Sequence, residues 1–165
     1  MTTTGTTTDY AAEIRATLKA RHGWNARQVS VRASYYSMGS SIDVTIKDPA
    51  ISLPTVKAIA EGAEHIRRCE ATGEILGGGN RYVSVRYSHE AQEILGRRYA
   101  DAVQRAVNGL EPGGSSLHPV DGTPFLVGLP YAGRISLWED GYLSDGYSVD
   151  SIAQTIGGLM IAREG

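Results

Sequence analysis

Arg32 and Arg86 are the residues whose type and setting come nearest to chemistry. Each closes a Val-Ser-Val-Arg run, at 29–32 and at 83–86. Alternation of Val with polar residues is the period-two pattern of a strand, so each arginine leaves on the face opposite the valines. A guanidinium is a planar fork that matches a carboxylate or a phosphate and stacks on aromatic rings. Lys47, Tyr36, Tyr82 and Ser84 share the polar side of the same patterns. If these strands are neighbours in one sheet, their polar faces coincide. Arg32, Tyr36, Lys47, Tyr82 and Arg86 then form one basic-aromatic surface, of a kind that takes nucleic acid or a nucleotide. The plainer reading is a solvated sheet face on which Arg32 pairs with Asp43 across two strands.

A second group is aromatic. "YAGRISLWEDGYLSDGY" places Tyr131, Trp138, Tyr142 and Tyr147 close together, as protein interfaces often do. Trp138 could equally serve the local core.

No other residues compose a site. His22, His65, His89 and His118 form no His-Glu-x-x-His pair, and "SHEAQE" lacks the second histidine. Cys69 and His65 are four residues apart and would touch on a helix, but a catalytic dyad needs an orienting third group. The glycine runs lack the Lys-Ser/Thr of a phosphate cradle, and "GGGN" precedes a strand where such a loop must follow one. No catalytic residue, metal ligand or cofactor is assigned. The expectation is a binding protein rather than an enzyme, with a site assembled from distant residues left open.

The elements that must hold these residues are legible from periodicity. A mobile threonine tail, 1–8, precedes a helix capped by Thr8 or Asp9, with Ala11, Ile14 and Leu18 inward and Gly23 at its end. "VSVRASYYSMGSSIDVTIKDP" is a β-hairpin, with Ile42, Val44 and Ile46 on the buried side of its second strand and Gly39 supplying a positive φ to the turn. A second helix starts near Ser52 or Leu53 and runs to Cys69 or Glu70, with Val56, Ile59, Ala60, Ala63 and Ile66 as its stripe. "ATGEILGGGN" is a flexible loop, and "RYVSVRYS" a third strand. Ser88 caps a third helix whose buried side carries Ile94, Leu95, Ala102, Val103 and Val107. Residues 111–124 are a loop or boundary. Two short strands flank Pro130 and Gly133, "DGYLSDGYS" is turn-rich, and Ser148 caps a last helix through Ile152, Ile156, Leu159 and Met160. The order is α-β-β-α-β-α, then β-β-α: an α+β fold with helices on one face of an antiparallel sheet. The expected domain spans 9–110, with 111–165 as an extension or subdomain packed on it.

Composition bounds the rest. The chain has 165 residues, 41% hydrophobic and 21% charged, with a net charge of −2, which exerts no general pull toward nucleic acid or membrane. The positive charge lies early: residues 1–110 hold 14 Lys and Arg against 11 Asp and Glu, and residues 111–165 hold 2 against 7. An anion site therefore belongs to the first part. One cysteine suits a reducing compartment. "MTTTGTTTDY" has no basic and apolar leader, and no window is apolar enough for a membrane span. These point to a soluble cytoplasmic protein without membrane contact.

Residues 9–49 also resemble a known family. Ile14, Arg15, Leu18 and Lys19 on a helix, then Ser30, Val31, Arg32, Tyr36, Ser37, Gly39, Ser41, Ile42 and Val44 on a hairpin, are similar to a large polyvalent protein-associated domain of phages and conjugative elements. Met38 departs from the pattern, which has glycine there. The resemblance covers about the first half of the chain and brings no catalytic residues. It implies a mobile-element protein in a host cytoplasm, acting on host machinery or by self-association into a homo-oligomer.

Overall fold

Thr6 opens the first helix. The structure, a computed structural model, describes residues 5–131 and 133–164. Helix α1 spans Thr7–His22, and Thr6 and Asp9 form a reciprocal capping box at its start. The expected tail therefore divides. Residues 1–4 lie outside the described residues, while Thr6, Thr7 and Thr8 are structural. The buried Thr7 hydroxyl lies 2.6 Å from that of Ser40. The Thr8 amide donates to the Tyr35 hydroxyl at 3.0 Å. Gly23, left-handed at φ 72°, ends the helix as its position suggested.

The hairpin forms from β1, Val29–Tyr36, and β2, Gly39–Ile46, in antiparallel register. Its reversal at Ser37-Met38 uses no positive φ, so Gly39 is not the turn glycine. Gly39 is needed for closeness instead, because a Cβ there would strike the carbonyl oxygen of Asn80. Asn80 begins β3, Asn80–Tyr87, which pairs with β2 in parallel register. The sheet order is β1-β2-β3. This sheet is mixed, not antiparallel throughout. Parallel pairing needs a crossover, and α2, Leu53–Ala60, lies within it.

Helix α2 is shorter than its stripe suggested. After a 3-10 turn over Glu61–Ala63 the backbone turns extended. His65 then bridges Arg81, and Arg68 bridges Ile75. The Arg67 amide donates to Oδ1 of Asn80 at 2.8 Å. These partners satisfy the backbone as a helix would have, and they tie back the loop before β3. They also separate His65 from Cys69, so the helical contact considered for that pair is absent. Helix α1 packs on β1 and β2 and α2 on β3, and Val29, Val31, Ile42, Val44 and Ile46 are all buried.

The chain divides into two compact units, the first ending at Ser88 and the second beginning at His89. The boundary thus precedes the third helical stretch instead of following it at 110. In the second unit that stretch is two helices, α3 over His89–Arg97 and α4 over Ala100–Asn108. The break re-aims the stripe: Val103 and Ala106 join the sheet core, while Ile94 is exposed. Strands β4 (Leu117–Pro119), β5 (Leu126–Tyr131), β6 (Arg134–Trp138) and β7 (Tyr142–Gly146) form an antiparallel meander. Two of these, β4 and β7, arise in stretches expected to be loops. Phe125, Val127, Ile135 and Leu137 pack with Ile152 and Ile156 of α5, Val149–Glu164. The Ser148 hydroxyl accepts the Ser151 amide at 3.1 Å, as a cap does. The class is α+β, with two sheets.

Gly157 lets α5 approach α3 closely. A Cβ there would lie 2.7 Å from both Cβ and the carbonyl oxygen of Leu95. The expected result of Gly157→Ala is a loss of about 1–3 kcal/mol, the usual cost of overpacking, read as a lowered denaturation midpoint. Gly141→Ala faces open space and is expected to change stability by under about 0.5 kcal/mol. At the other end of the chain, Thr6→Ala is expected to cost about 1 kcal/mol through loss of the cap, measurable in the same denaturation.

Candidate functional site

Register decides which polar residues of the first sheet meet. Directly paired residues share a face, so Ser30, Thr45 and Arg86 form one row and Arg32, Asp43 and Ser84 the next. Ser34, Ser41 and Tyr82 follow, then Tyr36, Gly39 and Asn80. Arg32 and Arg86 thus leave the same face of the same sheet, opposite the helices. The two Val-Ser-Val-Arg runs occupy its two edges and run antiparallel to each other. Arg32, Lys47, Arg86, Tyr36 and Ser84 are exposed, and Tyr82 is half-buried. Lys47 sits one residue past β2 at the rim, with its ammonium donating to the Ala26 carbonyl at 3.3 Å.

The expected Arg32–Asp43 pair is not made. The two residues are opposite in register, but Asp43 accepts the hydroxyls of Ser84 at 3.0 Å and Ser41 at 3.4 Å. Among the described residues no carboxylate stands within 4.0 Å of a nitrogen of Arg32, Lys47 or Arg86. Both tyrosines are anchored by their hydroxyls. Tyr36 donates to the Ser40 carbonyl at 3.1 Å, and Tyr82 accepts the side-chain amide of Asn80 at 3.3 Å. Asn80 itself is buried and bound on both sides, to the Leu76 carbonyl and the Arg67 amide. Nothing in the local sequence announced Asn80 as the residue that fixes Tyr82.

The second sheet carries Tyr131, Trp138 and Tyr142 of the other predicted group, while Tyr147 lies one residue past β7 and is 80% exposed. Tyr131 pairs with Arg134 and Trp138 with Tyr142, on the face away from Ile135 and Leu137. Trp138 and Tyr142 meet edge to face at 5.5 Å. Tyr131 is 67% exposed and Tyr142 55%. Trp138 is half-buried, and its indole N–H donates to the buried Ser136 hydroxyl at 2.8 Å. The alternatives for Trp138 thus merge: its ring packs locally and also lines an open face. Arg134 grips Asp145 through Nε at 2.6 Å and through Nη2, and Tyr142 donates to the same carboxylate oxygen at 3.1 Å. Sequence reasoning passed over Arg134 and Asp145, which lie eleven residues apart across a turn.

Elsewhere the chemistry is sparse. The Cys69 thiol is pulled below its ordinary pKa by the Thr72 hydroxyl and nearby amides. Among the described residues no three metal-ligating side chains converge, and no helix is long and apolar enough to cross a membrane. Comparison with family models, curated proteins and solved structures finds no match to this chain.

The Arg134–Asp145 pair carries a pH signature. The guanidinium hydrogen bond, aided by the Tyr142 hydroxyl, holds the Asp145 carboxyl below the usual aspartate range. A depressed folded-state pKa gives stability that is present above the unfolded value, near 3.9, and is lost as pH falls through the folded one. Arg134→Gln is expected to raise the Asp145 midpoint toward the ordinary value in a carboxyl-carbon NMR titration. An unmoved midpoint would show that the pair does not form in solution.

Proposed function

We propose that this chain is a non-catalytic binding protein of a phage or another mobile element, acting by protein contacts in the host cytoplasm. The partner is a host protein or a second copy of the chain. The observation that carries this reading is the outer face of the second sheet. It presents Trp138 and Tyr142 in edge-to-face contact and Tyr131 beside Arg134 at the other end of β6, and that arginine is already matched by Asp145. A face of large amphipathic rings with its charge neutralised internally suits a protein surface, where aromatic residues form the anchors of most interfaces.

The mobile-element context is supported by the resemblance over residues 9–49. Two of its motif residues touch: the Arg15 guanidinium donates to the Val31 carbonyl at 2.5 Å and 3.2 Å. Ile14 and Leu18 are buried, as are Val31, Ile42 and Val44. Helix and hairpin therefore form one packing unit, which accounts for a motif that spans both.

A photo-crosslinking residue placed at 131 or 142 is expected to capture one discrete protein, or a second copy, in the host cell. The same residue at exposed Lys57, in the first unit, serves as the control. Tyr142→Ala is expected to weaken that association by about 2 kcal/mol or more, the range of an aromatic anchor, measured with the captured partner or by sedimentation equilibrium. A strict monomer with no capture above the control would refute the reading.

A further inference from the structure

We propose that the open face of the first sheet binds single-stranded nucleic acid, with phosphates at its arginine end and bases over Tyr82 and Tyr36. This goes beyond protein contacts and rests on a different unit of the chain.

Charge comes first. The face carries Arg32, Lys47 and Arg86 against Asp43, whose two oxygens already accept Ser84 and Ser41, and against Glu64 at the β3 edge, whose carboxylate accepts the Val83 amide at 3.3 Å. Among the described residues the three cations have no carboxylate partner. The second sheet shows the opposite arrangement, with Arg134 gripped by Asp145. An exposed cation trio beside hydroxyls at Ser30, Ser34 and Thr45 matches an anionic partner that accepts several hydrogen bonds.

Placement then selects the anion. Strands are about 4.8 Å apart and rise about 3.3 Å per residue. Arg32 and Arg86, on the two edges and one row apart, therefore stand about 12 Å from each other. A single phosphate would engage one of them with ease and both with difficulty, whereas a phosphodiester chain meets both. Asp43 shares a row with Arg32, and Tyr82 and Tyr36 occupy the two rows beyond it, on the side away from Arg86. This order of rows sets the backbone at the end of Arg86, Lys47 and Arg32, and the bases at the aromatic end. There Tyr82 and Tyr36 are held by hydroxyl contacts to Asn80 and the Ser40 carbonyl. Rings fixed in this way lose little entropy when a base stacks on them. Strand β2 alone gives the face a length of about 26 Å, room for a short oligonucleotide. A duplex fits less well, since the major groove admits a helix or a two-stranded ribbon and this is a three-stranded face.

The test is fluorescence anisotropy of the full chain with a labelled oligothymidylate of about ten nucleotides. Three phosphate contacts on a single strand predict a loss of roughly twentyfold in affinity between 50 and 200 mM salt. Arg32→Ala with Arg86→Ala is expected to weaken binding at least tenfold and to flatten that salt dependence. Tyr82→Leu is expected to weaken it about fivefold or more, the effect of losing one stacked base. Tyr36→Leu provides the same reading should the Tyr82 variant fail to fold, which circular dichroism reports. Three results would overturn the proposal. These are no binding by the wild-type chain at 50 mM salt, double-arginine variants that bind as wild type, and a phosphopeptide or inorganic polyphosphate that binds as tightly while both tyrosine variants stay silent. The last would assign the face to phosphate alone.

Discussion

The pleat of β2 is the constraint on which the first unit rests. Ile42, Val44 and Ile46 are all fully buried, and this strand is paired on both sides. Successive side chains must alternate, so burying these three sends Ser41, Asp43, Thr45 and Lys47 to the other face. The neighbours inherit that choice. A slip of one residue in β1 or β3 would turn its valines outward and its arginine into the core. The basic-aromatic surface is therefore the remainder left when three apolar rows are packed under two helices. No separate device is needed to bring Arg32 and Arg86 to one side.

This explains what could be read from the sequence. Strand periodicity is a local property, and the hairpin and the polar side on which each arginine leaves its strand follow from it, whereas the register and the sharing of one sheet by β1 and β3 come from the pairing itself. What was illegible depends on contacts distant in the chain. Thr7 and Thr8 carry no helical stripe, and only Ser40 and Tyr35 make them structural. The pattern over 53–69 is a good helix by spacing, yet Arg81 and Asn80 draw residues 65–67 into extended pairing. Gly157 lowers helix propensity by itself, and only the approach of Leu95 shows why it is tolerated. Parallel pairing of β3 was hidden for the same reason, since antiparallel and parallel strands share one period.

The two exposed faces differ in how their charge is resolved. On the second sheet the guanidinium, the carboxylate and the Tyr142 hydroxyl satisfy one another, which leaves rings as the available surface. On the first, the carboxylate is taken by hydroxyls and the cations are left over. A substitution that unbalanced either arrangement would change the character of the face before it changed the fold.

The parallel pairing of β2 with β3 also sets an order in time. Strands β1 and β2 are joined by two residues and can meet as soon as both have left the ribosome. Strand β3 must wait for everything between Lys47 and Gly79, and the entropy of closing that longer loop is lost before any of its contacts form. During synthesis the far edge of β2 is therefore unpaired for longest, with its backbone groups open to any other strand. The strand that shields this edge is the one that brings Arg86 and Tyr82, so a nascent chain completes its polar face in the same event that covers the edge of β2.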